Sequence, residues 1–137
     1  MQKGTLAFPD SDGAYSAQQT LLLPSDWTGT IDAKINWFSA ITTGDVFWQV
    51  STLCVADGEL DDGVSPAFAT ASTVPDTAKG TTLQTNNAAI TTVTVTGCAA
   101  GELMHLKIMR DRTDASDTLG ASSAQLIGVE LTLRRAQ

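Results

Sequence analysis

Carboxylates are the side chains of this sequence best placed to do chemistry in groups. Asp10-Ser11-Asp12-Gly13 offers oxygens of the kind that cradle calcium, and Asp57-Gly58-Glu59-Leu60-Asp61-Asp62-Gly63 concentrates four acids in a turn-rich interval. Neither follows the full D-x-[DN]-x-[DN]-G-x5-E calcium loop. A third group, Asp111, Asp114 and Asp117, lies in one connection, where Asp side chains can cap turn amides and Arg110 and Arg112 offset the charge. Paired carboxylates also hydrolyse glycosides, but that chemistry needs a cleft, and a small sandwich has no obvious long one.

Other catalytic constellations are missing from the sequence. His105 is the sole histidine and would have to serve every triad, while Ser16, Ser25, Ser39 and Ser51 all lie outside a G-x-S-x-G elbow. There is no P-loop and no strand-linked G-x-G-x-x-G. Cys54 and Cys98 have no Cys or His neighbour at structural-zinc spacing. The reading is therefore a non-enzymatic protein with no catalytic residue, no metal and no cofactor. The two cysteines fit a pair of buried thiols or one bridge between distant segments; spacing does not decide, and free thiols are the expectation.

Aromatic side chains suggest recognition instead. Trp27, Trp37, Trp48, Tyr15, Phe38 and Phe47 include rings able to stack on sugars. Trp37 shares its strand face with Ile31, Ala33 and Ile35, so it reads as core. Phe47 and Trp48 point to opposite faces of one strand, so at least one of them is a candidate for an interface or ligand. Trp27 opens a strand after Leu23-Pro24-Ser25-Asp26. The interface candidates are Trp27, Phe47, Trp48, Asp61, Asp62, Arg110 and Arg112.

The elements that must position these residues read as strands. Alternation runs through Thr30 to Phe38, Asp45 to Ala56, Leu103 to Arg110 and Gln125 to Arg134. Shorter segments are Gly4 to Phe8, Ala17 to Leu23, Ala67 to Thr73 and Ile90 to Thr96. About eight short strands divided by Gly, Asp, Asn and Pro, with no helix-length period, predict an all-β antiparallel β-sandwich of jelly-roll type. Cys54 and Cys98 with Trp48 do not reproduce the immunoglobulin order of Cys, Trp, Cys. The 137 residues suit one domain: residues 1–13 as an N-terminal arm or first short strand, residues 14–137 as the jelly roll.

Charge and hydropathy narrow the partners. Fifteen acidic against eight basic residues give a net charge of −7, which opposes a nonspecific grip on phosphate backbones, so nucleic acid is not expected. The apolar runs are too short for a membrane-spanning helix, and no signal-type apolar stretch follows the N-terminal Lys3. No membrane partner is expected.

Leu22-Leu23-Pro24-Ser25-Asp26-Trp27-Thr28-Gly29-Thr30, with the alternating strand to Trp37, resembles a pattern of small jelly-roll proteins of tailed bacteriophages. Ala100-Gly101-Glu102-Leu103, the Asp-rich turn from Arg110 to Leu119, and Gln125-Leu126-Ile127-Gly128-Val129 extend the similarity over residues 20 to 134. That resemblance implies a virion structural protein: a capsid decoration or cement protein acting as a homotrimer on the major capsid protein or other virion proteins. The alternative is a carbohydrate-binding or adhesion module of a phage tail or fibre, with a glycan as ligand. Thr-rich faces suit repeated contacts because they lose little side-chain entropy when immobilised.

Overall fold

Period-2 alternation builds the core. In β3 (Trp27–Phe38) the side chains of Ile31, Ala33, Ile35 and Trp37 are buried while those between them reach the surface. In β7 (Leu103–Arg110) Met104, Leu106, Ile108 and Arg110 point inward. The other strands are β1 (Leu6–Phe8), β2 (Tyr15–Leu22), β4 (Asp45–Val55), β5 (Ser72–Thr77), β6 (Asn86–Ile90) and β8 (Ala124–Arg135). The computed structural model describes residues 4–9, 15–61, 66–120 and 123–137 of the chain.

Two four-stranded antiparallel sheets face each other, ordered β1-β8-β3-β6 and β2-β7-β4-β5. Successive strands mostly alternate between sheets, which is the jelly-roll winding predicted from the strand count. Trp37 and Trp48 meet edge-to-face across the sandwich with ring centroids 6.1 Å apart, and Phe8 adds a second such contact to Trp48 at 5.3 Å. Gly44, in the turn between β3 and β4, has φ +94, and a side chain there would run into the Thr118 carbonyl and Leu119 Cα. The β7–β8 connection is thereby seated on the start of β4, where the Thr118 and Leu119 amides both donate to the Asp45 carbonyl.

Two strands depart from the sequence reading. The expected strand at Ala67 to Thr73 instead begins at Ser72 and runs through Pro75, which is tolerated because β5 is an edge strand. The expected strand at Ile90 to Thr96 ends at Ile90, and β6 extends backward to Asn86. Thr92 adopts a left-handed φ of 65, so the Thr/Val alternation turns away from the sheet after Ile90. Its amide is held by the Asp32 carboxylate at 2.8 Å, and the buried Val93 donates to the Ile31 carbonyl.

The expectation of free thiols is also corrected. Cys54 and Cys98 form a disulfide that ties the end of β4 to the β6–β7 connection. Cys98 lies in a turn that passes over the buried Cys54, a proximity set by topology rather than by spacing in sequence.

Candidate functional site

The outer face of the β2-β7-β4-β5 sheet gathers polar side chains from three adjacent strands. Because alternate residues share a face, Gln18 and Thr20 on β2 lie opposite Lys107 and His105 on β7. Lys107 and Met109 in turn lie opposite Ser51 and Gln49 on β4. Strands about 4.8 Å apart set these groups at a fixed lateral spacing. The β4–β5 connection lies over part of the same face: Ser51, Leu53 and Val55 point outward yet are buried, and residues of that connection meet β7.

Several of these side chains are held in place. The Thr20 hydroxyl lies 2.8 Å from His105 Nδ1, and His105 Nε2 lies 3.0 Å from Asp61 Oδ1. A carboxylate only accepts, so in the neutral ring Nε2 carries the proton, donates to Asp61, and Nδ1 accepts from Thr20. The Lys107 ammonium rests 4.4 Å from the centre of the Phe68 ring. Gln49 donates its side-chain amide to Asp111 at 3.0 Å. The face thus offers oriented donors, oriented acceptors and apolar surface at Phe68 and Met109. Thr20, His105 and Asp61 form a hydroxyl, imidazole and carboxylate chain running from β2 across β7 to the β4–β5 connection.

Six of the seven residues singled out from sequence lie among the described residues, and these six are not brought together. Trp48 is fully enclosed in the core, its indole Nε1 without a hydrogen-bond partner. Trp27 is also buried and donates its indole N–H to the Thr30 carbonyl at 2.9 Å. Arg110 points inward, makes a two-pronged ion pair with Asp117 at 2.6 and 2.8 Å, and donates to the Phe8 carbonyl. Arg112 is half-buried in the turn after β7, and Asp62 lies outside the described residues. Phe47 is half-buried on the outward face of β4, with its amide donating to Asp117. Of these six, Asp61 joins the polar face directly, through His105.

The acidic groups serve mostly as caps. Glu59 accepts from the Ala56 amide, Asp111 from Thr113 and Asp114 from Ser116, each fixing its own turn. Asp10 to Gly13 falls outside the described residues. Among the described residues, no three His, Cys, Asp or Glu side chains are placed to hold a metal ion. Gln18, Thr20, Gln49 and Lys107 are not among the candidates that the sequence singles out, and His105 figures there only as the sole possible triad base. The signal available for them was their shared parity on neighbouring alternating strands.

No family model matches the chain, and no curated protein matches it. Among solved structures it is similar to the carbohydrate-binding module TmCBM61, determined in complex with β-1,4-galactotriose. The two share 13% identity at a TM-score of 0.45, over 88% of this chain and 63% of that one, so this chain spans less than two thirds of the other. That the solved structure is a carbohydrate-binding module and not a phage capsid or tail protein overturns the resemblance to tailed-phage jelly rolls. With it go the capsid-decoration role, the homotrimer on the major capsid protein or other virion proteins, and the virion location.

Proposed function

We propose that the protein is a non-enzymatic glycan-binding module whose ligand lies along the outer face of the β2-β7-β4-β5 sheet. The observation that carries this reading is the bonded chain Thr20, His105 and Asp61, flanked by Lys107 on Phe68. A sugar presents donors and acceptors on a ring with apolar faces, and this surface supplies oriented polar groups beside the half-buried Phe68 and Met109. Groups locked before binding lose little entropy when a ligand arrives. The net charge of −7 disfavours polyanions at long range, so the ligand is a neutral glycan. The disulfide fits an oxidising compartment, where extracellular polysaccharides are met.

Affinity electrophoresis in gels containing neutral polysaccharides, followed by titration calorimetry with the matching oligosaccharide, tests this. Wild-type protein is retarded by at least one neutral glycan, and His105→Ala or Lys107→Ala weakens binding by about tenfold. Asp26→Ala, at the Arg135 contact away from this face, leaves binding unchanged. Unretarded wild-type protein across the panel, or full affinity in both face variants, would overturn the proposal.

A further inference from the structure

A sheet edge is a row of unpaired backbone donors and acceptors, and soluble proteins protect such rows by shortness, proline, charge or cover. Among the described residues, three of the four sheet edges are protected. β1 has only 3 residues, and β5 carries Pro75 and Asp76. β6 packs against β5, closing that side of the sandwich. The fourth edge, β2, has 8 residues, Tyr-Ser-Ala-Gln-Gln-Thr-Leu-Leu, with no proline and no charge, and most of them are exposed.

The open edge has a defined phase. The Thr20 carbonyl accepts a bond from the neighbouring Gln19 side chain at 3.2 Å, as a carbonyl does when turned away from the ladder. In an antiparallel strand the N–H and C=O of one residue point the same way, so Ser16, Gln18, Thr20 and Leu22 all aim their main-chain groups outward. The close approach of Thr20 to His105 fits the same phase, since opposed side chains come nearest in a non-hydrogen-bonded pair. Directly beside this edge the two sheets part into a cleft of about 340 Å³, lined by Leu6, Ala17, Leu21, Leu106, Ile108 and Leu131 among others. Among the described residues, an unpaired run of main chain from Ser16 to Leu22 and an apolar cleft therefore coincide.

We infer that β2 pairs antiparallel with β2 of a second copy of this chain, about a two-fold axis through Gln18, joining two four-stranded sheets into one of eight. A two-fold normal to the sheet keeps each face on its own side, so residues of like parity meet. Ser16 then pairs with Thr20 of the other copy, Gln18 with Gln18, and Tyr15 lies across from Leu21 above the merged clefts. Tyr15, Leu22 and Leu6 are exposed apolar groups at this border. A second copy fits because the chain carries net charge −7 while this strand has none, so two copies approach here without opposing like charges. An edge of roughly 27 Å, backed by two sheets roughly 20 Å deep with their side chains, covers on the order of 500 Å² per copy. That is at the lower bound for a specific dimer, so association is expected to be weak and concentration-dependent.

Sedimentation velocity on the full chain from about 1 µM to about 500 µM reads the outcome. The wild type shifts from monomer to dimer across this range. Gln18→Pro removes an outward N–H and leaves a folded monomer throughout, with unchanged far-ultraviolet circular dichroism. Should that variant fail to fold, Gln18→Lys sets two ammonium groups across the axis and weakens dimerisation at least tenfold, recovering as salt is raised. A wild type monomeric at every concentration overturns the inference, as does a folded Gln18 variant that dimerises like the wild type. Both readouts are independent of any glycan.

Discussion

The two sides of the sandwich are closed by different means. On the β5/β6 side the sheets are cross-linked repeatedly. The Trp37 indole donates to Asp76 at 2.6 Å, Thr52 donates to the Thr94 carbonyl, the Thr94 amide donates to Ser72, and the disulfide fixes the same connection to β4. On the β1/β2 side, Arg110 spans the sheets at one end by reaching the Phe8 carbonyl, and beyond it the sheets part around the apolar cleft. A jelly roll therefore need not be sealed evenly. Polar and covalent ties on one side hold the sheets in register, which lets the other side keep an unpaired strand and an open cleft. The polar face proposed for glycan spreads outward from that open edge, through β2 and β7.

The largest effect is expected at Arg110, the strongest tie of the open side among the described residues. Arg110→Met leaves the Asp117 carboxylate buried without its cation, and among the described residues the Phe47 amide alone still donates to it. Breaking a buried pair in this way costs about 3–5 kcal/mol, read as a lower midpoint of urea unfolding. A loss under about 1 kcal/mol would mean that apolar contacts alone hold this side, and the contrast between the two sides would fail.

Next comes the covalent tie of the closed side. Cys54 and Cys98 are 44 residues apart, and the loop they close restricts the unfolded chain by about 4 kcal/mol. Reduction, or the Cys54→Ala/Cys98→Ala pair, lowers Tm by roughly 14 °C. A shift within about 2 °C would show that the Ser72, Thr94 and Thr52 hydrogen bonds suffice to hold the β6–β7 connection.

What could be read ahead of the structure follows from the range of each interaction. Alternation is local, so β3, β7 and β8 are visible as Ile31 to Trp37, Met104 to Ile108 and Leu126 onward. β5 is hidden by Pro75, which argues against a strand unless its edge position is known. The Thr/Val run after Ile90 keeps strand composition while Thr92 turns the chain, because Asp32, 60 residues earlier, holds its amide. The candidate site was less legible for the same reason. Thr20 and Asp61 reach His105 across separations of 85 and 44 residues, and only the pairing of β2 with β7 and the path of the β4–β5 connection bring them together. Trp48 and Arg110 were drawn toward the surface by residue type, whereas their parity on β4 and β7 places both inside.

The smallest effect sharpens how the closed side works. Asp76 is held above the ordinary carboxylate pKa of 3.8, chiefly by burial and further by Asp45, while the Trp37 hydrogen bond and Lys79 pull the other way. A folded pKa above the unfolded one means the native state binds the proton more tightly, so the unfolded state holds fewer protons between the two values. Stability from this group is therefore present below pH 3.8 and declines as pH rises through the folded value, above which it stays flat. Asp76→Asn keeps an oxygen that accepts from the Trp37 indole while removing the buried charge. The variant has the higher Tm at neutral pH, and the gap narrows on acidification toward pH 3.8. Thermal melts of both proteins from acid to neutral pH measure that gap directly. If the gap instead widened in acid, the Asp76 charge would be strengthening the Trp37 tie, and the closed side would owe part of its closure to an ionised hydrogen bond.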